Sequence, residues 1–581
     1  MLRFECNHRN LLLLTVAALF GLGAMTVGVV FVLHEHELDE FGVRSTKPQG
    51  AVASNAYECA PVGAGILREG GSAADAAIAM MICEEVACPE SAGTGGGFLA
   101  TIYDREKGTV EVLDAREVAA NGAREDMFVG NGEAAVHGGL AIATPGALKG
   151  YWVMHQRYGK LPWKRLIEPS IDLCYRGHIV NPYMADAMQE IREEILNTTS
   201  LREIFVDPET GDIFKEGDII KRPDFARTLE MIAVEGADAL YSKNGSLLPI
   251  LLKDLKAFGS IITEEDFLSY EPRWLPPVST VLRNGNAVYS AALPGGGTIL
   301  MHMLNVLDGY DDLNPSDPLT WHRVIETFKH AYGVRTRLGD PPFVPGIEEM
   351  IRNLTSKDYA DYIRAKIDDN RTYTSYEFYG ADFANPEDLG TAHVSALAPN
   401  GDAVAATGTI NDYFGAQLRS PSTGIIPNGE MDDFSTPGVI NIYGVPASPA
   451  NFIAPKKRPL SSMSPAIVID GAGDVRLIAG GAGGTRITTA TLQLILRHAF
   501  FGEDLRAAMG GPRVHHQLAP MWIEYEAAVD PTIVEQLKAR GHAVKKVRRV
   551  ATETAVAREL DGRVSAAFDP RRPGSAEVVE G

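Results

Sequence analysis

The chain has 581 residues, of which 45% are hydrophobic and 22% are charged, and its formal net charge is −21 at pH 7. These proportions are typical of a globular protein, and the length allows several domains at roughly 150 residues each. The acidic balance argues against nucleic-acid binding, which draws on clustered Lys and Arg. We therefore expect a soluble, self-repelling surface and no nucleic-acid partner.

An uncharged stretch near the N-terminus predicts a membrane anchor. Residues 11–33 contain no charged side chain. This is long enough to span a bilayer and longer than the apolar part of a cleaved signal peptide, about 7–15 residues. Arg3 and Arg9 precede the stretch and an acidic segment follows it, so the N-terminus is expected in the cytoplasm. The predicted order is a cytoplasmic tail (1–10), a transmembrane signal-anchor (11–33), a stalk (34–50) and an extracellular body at the plasma membrane.

Glycosylation sequons and cysteines agree with an extracellular location. Sequons are weak signals singly, but four precede residue 391, with acceptors Asn197, Asn244, Asn353 and Asn370. Four cysteines would face an oxidising compartment, where disulfides persist: Cys59, Cys83, Cys88 and Cys174. From the sequence, Cys88 and Cys174 either pair or stay free.

The first part of the body predicts helices packed on strands. Ser72 can cap a helix and Asp75 can complete its capping box, and an apolar run continues this helix to Cys83. A glycine run at 93–97 leads into a strand at 99–103. It fits neither a dinucleotide fingerprint nor a P-loop, because the third Gly and the Gly-Lys-Ser/Thr are missing. We interpret it as close packing of helix on sheet. A second strand, 110–113, ends just before Arg116.

The middle of the chain, 140–390, is predicted to be mainly helical. A helix over 319–338 carries a clear apolar stripe and stops at Gly339-Asp340-Pro341-Pro342. Beyond residue 391 the pattern changes to short strands at 467–470 and 474–479, followed by a helix over 488–500. The body is therefore expected to mix helices and strands.

A hairpin is predicted around Pro399-Asn400-Gly401, which separates two strand-like runs. A three-residue loop would pair Ala398 with Asp402 and set Thr391 opposite Thr409, with both side chains on one face. A two-residue loop would instead move Thr409 to the other face. We favour the first register. Two threonines on a hairpin are ordinary strand formers by themselves.

The residues that follow give these threonines a chemical context. Asn411 is followed by Asn428-Gly429-Glu430-Met431-Asp432-Asp433-Phe434, then by Ser461-Ser462 within a Pro-flanked segment, then by Gly480-Gly481-Ala482-Gly483-Gly484-Thr485. This order and spacing resembles the γ-glutamyltransferase family, which cuts its own chain before a threonine. The resemblance covers the chain from about Ser54 almost to its end. It implies the α+β fold of N-terminal-nucleophile hydrolases, an αββα sandwich, and the stretch 11–33 would add one N-terminal transmembrane helix before it.

The resemblance implies a cut between Gly390 and Thr391, giving a large chain (51–390) and a small chain (391–581) that stay together as a heterodimer. It implies Thr391 as nucleophile, with Thr409 orienting it and the N–H groups of Gly483 and Gly484 forming an oxyanion hole. The α-carboxylate of the substrate would be bound by Arg116, Ser461 and Ser462. The α-ammonium would be bound by Asn411, Glu430 and Asp433. The resemblance also implies a Cys59–Cys83 disulfide and no metal or other cofactor.

The expected activity is transfer of the γ-glutamyl group of glutathione and its conjugates to water or to acceptor amino acids and dipeptides. The resemblance further implies that Tyr413 and the loop 443–452 form the wall and lid of the pocket. Gly295-Gly296-Gly297 stands where the family usually carries serines, a departure with an open effect. Two other functions remain open: an acylase-like hydrolase of other amides, and an inactive ectodomain kept for surface binding.

Overall fold

The computed structural model describes residues 49–383, 390–439 and 446–580. The predicted cytoplasmic tail, the transmembrane segment and nearly all of the stalk lie outside these ranges. Gln49 and Gly50, predicted to end the stalk, instead begin the first strand. Within the described ranges, no helix combines the length and the apolar character needed to cross a bilayer.

The strands are β1 (Gln49–Ser54), β2 (Gly97–Asp104), β3 (Thr109–Ala115), β4 (His178–Ile179), β5 (Ile219–Ile220), β6 (Arg273–Leu275), β7 (Val278–Val281), β8 (Ala287–Ser290), β9 (Ala392–Leu397), β10 (Ala403–Thr409), β11 (Ala466–Ile469), β12 (Val475–Ala482), β13 (Val514–His515), β14 (Ile523–Glu526), β15 (Val544–Val547), β16 (Thr552–Arg558), β17 (Val564–Phe568) and β18 (Ser575–Glu580). The α-helices are α1 (Cys59–Arg68), α2 (Ala73–Ala87), α3 (Glu133–Val136), α4 (Ala147–Tyr158), α5 (Trp163–Arg176), α6 (Pro182–Glu190), α7 (Arg192–Asn197), α8 (Thr199–Phe205), α9 (Pro223–Glu235), α10 (Asp238–Tyr241), α11 (Leu248–Ala257), α12 (Glu264–Ser269), α13 (Gly297–Asp308), α14 (Pro318–Arg335), α15 (Ile347–Leu354), α16 (Lys357–Lys366), α17 (Ile487–Ile495), α18 (Leu505–Gly510) and α19 (Pro531–Ala539).

Two antiparallel sheets form the centre of the body. The first sheet has the order β18-β1-β9-β10-β2-β3-β6, and the second has the order β17-β16-β12-β11-β8-β7. Both sheets combine strands from before and after residue 391. In the first sheet β9 lies between β1 and β10, and in the second sheet β8 pairs with β11.

Side-chain alternation produces four layers. On β9, Val394 and Ala396 face the helices α1, α2, α4 and α5, while Leu397 faces the second sheet. A core of small and branched residues fills the space between the sheets, and α13, α14 and α17 cover the far side of the second sheet. The predicted α+β class and αββα layering are confirmed.

Of the predicted helices, one is confirmed at its start and another ends earlier than predicted. The capping box of Ser72 and Asp75 is present, and α2 continues to Ala87. The helix predicted over 319–338 ends earlier, at Arg335, and Leu338 N–H closes a turn onto the Arg335 carbonyl. The described part of the region 140–390 is mainly helical, as predicted, and it also contributes the short strands β4–β8. These strands have only two to four residues each, too few to display a clear period of two.

The cysteines divide into a pair and two buried thiols. Cys59 and Cys83 form a disulfide that joins α1 to α2, with their Cα atoms 5.5 Å apart. Within the described ranges Cys88 and Cys174 are both buried and form no disulfide, and burial raises the pKa of the Cys174 thiol to about 12. The implied disulfide is therefore present, and the open question about the other two thiols is answered in favour of free cysteines.

Candidate active site

The hairpin β9–β10 brings the two predicted threonines into contact. Leu397 pairs with Ala403 and Ala392 pairs with Gly408, so the register is the favoured one. The turn needs a residue with positive φ, and Gly401 supplies it at +93°. Thr391 Oγ1 donates a hydrogen bond to Thr409 Oγ1 at 3.1 Å. The sequence thus correctly placed the two hydroxyls side by side.

The backbone at the predicted cut is strained and tightly held. Thr391 has φ of +93°, which is a rare conformation for a β-branched residue. Its N–H donates to the Ser91 carbonyl at 3.2 Å, and Arg572 donates to its carbonyl at 2.9 Å. A Cβ on Gly390 would lie 1.9 Å from the Asn411 carbonyl oxygen. Only glycine therefore fits before this threonine.

Asn411 connects the threonine pair to the next predicted group. Its backbone N–H donates to Thr409 Oγ1 at 2.9 Å, and its Nδ2 donates to the Gly429 carbonyl at 3.0 Å. The carbonyl partner fixes the orientation of the amide. Asn411 Oδ1 is then buried with no partner among the described residues. An acceptor of this kind suits a cationic donor such as an ammonium group.

Arg116 lies fully buried against the two predicted acidic residues. Its two terminal nitrogens donate to Glu430 and Asp433, and its Nε donates to the Pro459 carbonyl at 3.1 Å. Burial lowers the pKa of Arg116, but the two carboxylates raise it further, so the net pKa lies above its ordinary value. Burial raises the pKa of Glu430 above its usual range, while the adjoining Arg116 lowers it and favours the carboxylate. Arg116 was predicted to bind the α-carboxylate of the substrate. In the structure it is already paired with two carboxylates of the protein, because an isolated buried charge is costly.

Ser461 and Ser462 contact a second arginine, Arg335, and the glycine loop at 295–297. Ser462 Oγ accepts a hydrogen bond from Arg335 Nη2 at 2.9 Å, and Ser461 N–H donates to the Pro294 carbonyl at 2.8 Å. Gly296 N–H donates to the Met463 carbonyl, also at 2.8 Å. A Cβ on Gly296 would lie 2.5 Å from Ser464 Oγ. The departure from serine at this position is therefore a packing requirement beneath Ser461 and Ser462.

Gly483 and Gly484 follow β12 directly, with φ of +133° and +61°. Gly483 precedes and Gly484 begins a short turn of 3₁₀-helix, Gly484–Arg486, that leads into α17. The N–H groups at the start of a helix lack intrahelical partners and carry partial positive charge. β12 crosses close to β9, since a Cβ on Gly480 would lie 2.4 Å from the ring of His393. The end of β12, which leads to the two glycines, therefore lies close to the start of β9.

The predicted wall and lid are described in part. Tyr413 Oη lies 3.3 Å from Tyr183 Oη and accepts from Arg549 Nη2 at 3.1 Å. The lid prediction covers 443–452, of which residues 443–445 lie outside the described ranges. The implied roles of these residues stay predictions.

Sequence reasoning missed four polar residues of the site: Ser91, Glu117, Arg335 and Arg572. Arg572 bonds Ser91 Oγ at 3.0 Å as well as the Thr391 carbonyl. Burial raises the pKa of Glu117 to about 7, and neither of its carboxyl oxygens has a hydrogen-bond partner among the described residues. All four come from segments distant in sequence from residue 391, and only Glu117, which follows Arg116, had a local signal.

His322, Glu326 and His542 meet in a cluster with the chemistry of metal ligands. His322 Nδ1 and His542 Nε2 are 2.8 Å apart. Lys329 Nζ lies 3.3 Å from one oxygen of Glu326, and Tyr379 Oη donates to the other at 2.7 Å. A cation of the protein thus already balances this carboxylate, and we assign the cluster to the anchoring of α14.

Comparison with known proteins places this geometry in context. Residues 59–579 match the Gamma-glutamyltranspeptidase family. Scoloptoxin SSD14 of Scolopendra dehaani is 43% identical over 557 residues, covering 95% of this chain and 96% of its own. Glutathione hydrolase 2 of Arabidopsis thaliana is 39% identical over 482 residues, covering 82% of each chain. The crystal structure of cephalosporin acylase from Bacillus halodurans superposes with a TM-score of 0.78 at 22% identity, covering 91% of this chain and 96% of that one, which supports the fold alone.

Proposed function

Because the chain belongs to the gamma-glutamyltranspeptidase family, we propose that it is a self-processing γ-glutamyltransferase and glutathione hydrolase. One observation carries the proposal. Thr391 Oγ1 lies 3.1 Å from Thr409 Oγ1, and Asn411, which is hydrogen-bonded to that same Thr409 oxygen, keeps a buried acceptor without a partner among the described residues. A nucleophile thus stands beside a group suited to an amino-acid head.

In the proposed processing step, the Thr391 hydroxyl attacks the Gly390 carbonyl carbon. The C–N bond breaks, the nitrogen takes up a proton, and an ester joins the two residues. Water then hydrolyses the ester, which leaves a carboxylate on Gly390 and a free α-amino group on Thr391. The positive φ of Thr391 supports this step, since breaking the peptide bond releases the strain.

In the proposed transfer step, the new α-amino group accepts the proton of the Thr391 hydroxyl as the oxygen attacks the γ-amide carbon. The oxyanion is held by the N–H groups of Gly483 and Gly484. The amine leaves with a proton, and a γ-glutamyl ester remains on Thr391. Attack by water gives glutamate, and attack by an acceptor amine gives a new γ-glutamyl compound.

The α-ammonium and α-carboxylate of the substrate would be recognised by groups of complementary charge. Asn411 Oδ1 and Glu430 Oε2 are buried acceptors without described partners, and both suit the α-ammonium. Ser461 and Ser462 suit the α-carboxylate, together with Arg116 once the substrate draws its carboxylate partners toward the ammonium. The acidic residues thus recognise charge and do not act as an acid–base pair.

The test compares the wild-type protein with Thr391→Ala on a denaturing gel, after removal of residues 1–40 and any glycans. We expect two pieces from the wild type, the smaller starting at Thr391, and one piece from the variant. Release of nitroaniline from L-γ-glutamyl-p-nitroanilide, with and without a dipeptide acceptor, then measures hydrolysis and transfer. An uncut, inactive wild type would contradict the proposal and favour an inactive binding ectodomain.

We further propose that residues 11–33 anchor the protein in the plasma membrane with the body outside. The support is the uncharged run itself and the exposure of all four sequon asparagines, Asn197, Asn244, Asn353 and Asn370. Carbonate extraction of cells expressing the full chain should leave the protein in the membrane, and removal of residues 1–40 should release it. Recovery of the full chain in the carbonate supernatant would refute the anchor.

A further inference from the structure

Arg335, the last residue of α14, is a buried arginine without an acidic partner. Only 4% of the residue is exposed, and its Nη2 donates to Ser462 Oγ at 2.9 Å. Among the described residues its Nη1 is buried with no hydrogen-bond partner, and none of their carboxylates lies within 4 Å of the guanidinium. Arg513 and Arg572, which are equally buried, each have a carboxylate partner. Since a buried, unpaired charge is costly, this cation is expected to serve an anion that comes from elsewhere.

The surroundings indicate which anion this is. Ser462 Oγ accepts from Arg335, so the single proton of the hydroxyl is left for another acceptor. No described residue accepts that proton. A hydroxyl whose oxygen accepts from a cation is polarised toward stronger donation. Arg335 and Ser462 therefore form a donor pair that suits a carboxylate.

Charge balance supports the same conclusion. Arg116 pairs with both Glu430 and Asp433, so this group holds two carboxylates for one cation, and it stays one positive charge short even when Arg116 turns to the bound α-carboxylate. A zwitterionic head brings one cation and one anion. The carboxylates can accept the cation, and the anion requires a further positive group. Arg335 supplies it at Ser462, in the same segment whose Pro459 carbonyl is bound by Arg116.

We propose that Arg335 is a specificity-determining residue of the donor site, which reads the α-carboxylate of the substrate through the Ser462 hydroxyl. This inference rests on the proposed γ-glutamyl transfer. Its consequence is that Arg335 matters for ligands that carry an α-carboxylate and is nearly irrelevant for ligands that lack one.

The test uses two competitive inhibitors of L-γ-glutamyl-p-nitroanilide turnover, L-glutamate and 4-aminobutyrate, which differ only in the α-carboxylate. We expect Arg335→Gln to weaken inhibition by L-glutamate about 10- to 100-fold, the range for a charged hydrogen bond, and to change inhibition by 4-aminobutyrate less than about threefold. KM should rise more than kcat falls. Arg335→Lys, which keeps the charge and loses the planar fork, should give an intermediate value.

The matched control is Arg337→Gln, since Arg337 lies two residues away and pairs with Asp382 at the surface. It should leave both inhibition constants unchanged. Equal weakening of both inhibitors by Arg335→Gln, or no weakening of either, would overturn the inference while wild-type turnover keeps the proposed function intact. A wild type without turnover would refute the function, and this inference with it. If Arg335→Gln is not cut into two pieces, Arg335→Lys and Ser462→Ala carry the same comparison.

Discussion

Replacing Thr409 with valine removes one hydroxyl and preserves the shape of the side chain. That oxygen accepts from Thr391 Oγ1 at 3.1 Å and from Asn411 N–H at 2.9 Å. Losing a neutral hydrogen bond costs about 0.5–1.5 kcal/mol, and leaving a buried N–H unpaired costs about 1–3 kcal/mol. The bond to Thr391 orients the proposed nucleophile, so the first cost would be felt mainly in the rates. The second cost would be felt mainly in the stability of the turn that carries Asn411.

We expect Thr409→Val to slow both the cut before Thr391 and the release of nitroaniline from γ-glutamyl-p-nitroanilide by about 2- to 12-fold, since the hydrogen bond costs about 0.5–1.5 kcal/mol and about 1.4 kcal/mol is a factor of ten. The cut is followed on a gel over time, and turnover is measured on the fraction that is cut. Thr409→Ser, which keeps the hydroxyl, should recover most of the rate. The matched control is Thr407→Val on the same strand, because Thr407 bonds His393 and not Thr391. Equal rates for Thr409→Val and wild type, or an equal loss in Thr407→Val, would refute the reasoning.

Three further predictions follow from single contacts. Gly390→Ala should block or strongly slow the cut, because its Cβ would lie 1.9 Å from the Asn411 carbonyl oxygen; gel analysis measures this. Glu430→Gln should raise KM for the γ-glutamyl donor about 10- to 100-fold with a smaller effect on kcat, because it removes a charge that suits the ammonium group; initial rates over a range of donor concentrations measure this. Burial raises the pKa of Glu553 to about 8, so its contribution to stability is complete below the unfolded pKa near 4.5 and is lost as pH rises through about 8. Glu553→Gln should therefore lose less stability than wild type between pH 5 and pH 9, by a few kcal/mol at most, as measured by urea unfolding.

Each of these predictions has its own check. Gly65→Ala is the control for Gly390→Ala, because nothing lies within 4 Å of its added Cβ, and it should be cut normally. A normally cut Gly390→Ala would show that the clash is relieved at little cost. An unchanged donor KM in Glu430→Gln would remove this residue from the head-binding group. For Glu553, a pH slope equal to that of wild type would mean that other buried carboxyls dominate.

The sequence predicted features that depend on neighbouring residues. Gly401 fixed the hairpin loop, and the loop fixed which residue lies opposite Thr391, because register in a hairpin follows from turn geometry. The capping box of Ser72 and Asp75 is local in the same way. The motif residues from Arg116 to Gly484 were placed by family resemblance, since their spacing alone would have described turns and loops.

The features that escaped prediction depend on contacts between distant segments. Arg335 ends a helix whose apolar stripe was clear, yet its contact with Ser462 crosses 127 positions of sequence. Arg572 reaches Thr391 across 181 positions. The pairing of Arg116 with two carboxylates follows from burial, which the sequence does not display. From the sequence, the glycine loop at 295–297 was only a departure from the family. The close approach of neighbouring atoms in the structure shows why side chains are excluded there.

Because the strands of the two pieces interleave in both sheets, a cut before Thr391 changes how the protein can refold. β1 lies between β18 and β9, and β10 lies between β9 and β2, so each piece supplies strands that the other must pair with. The uncut chain folds in a unimolecular reaction, but the cut protein, once unfolded, has to reassemble in a bimolecular one. Its midpoint of unfolding should then depend on protein concentration, and dilute samples should not recover. After processing, the lifetime of the folded protein would therefore be set by its rate of unfolding and no longer by a reversible folding equilibrium.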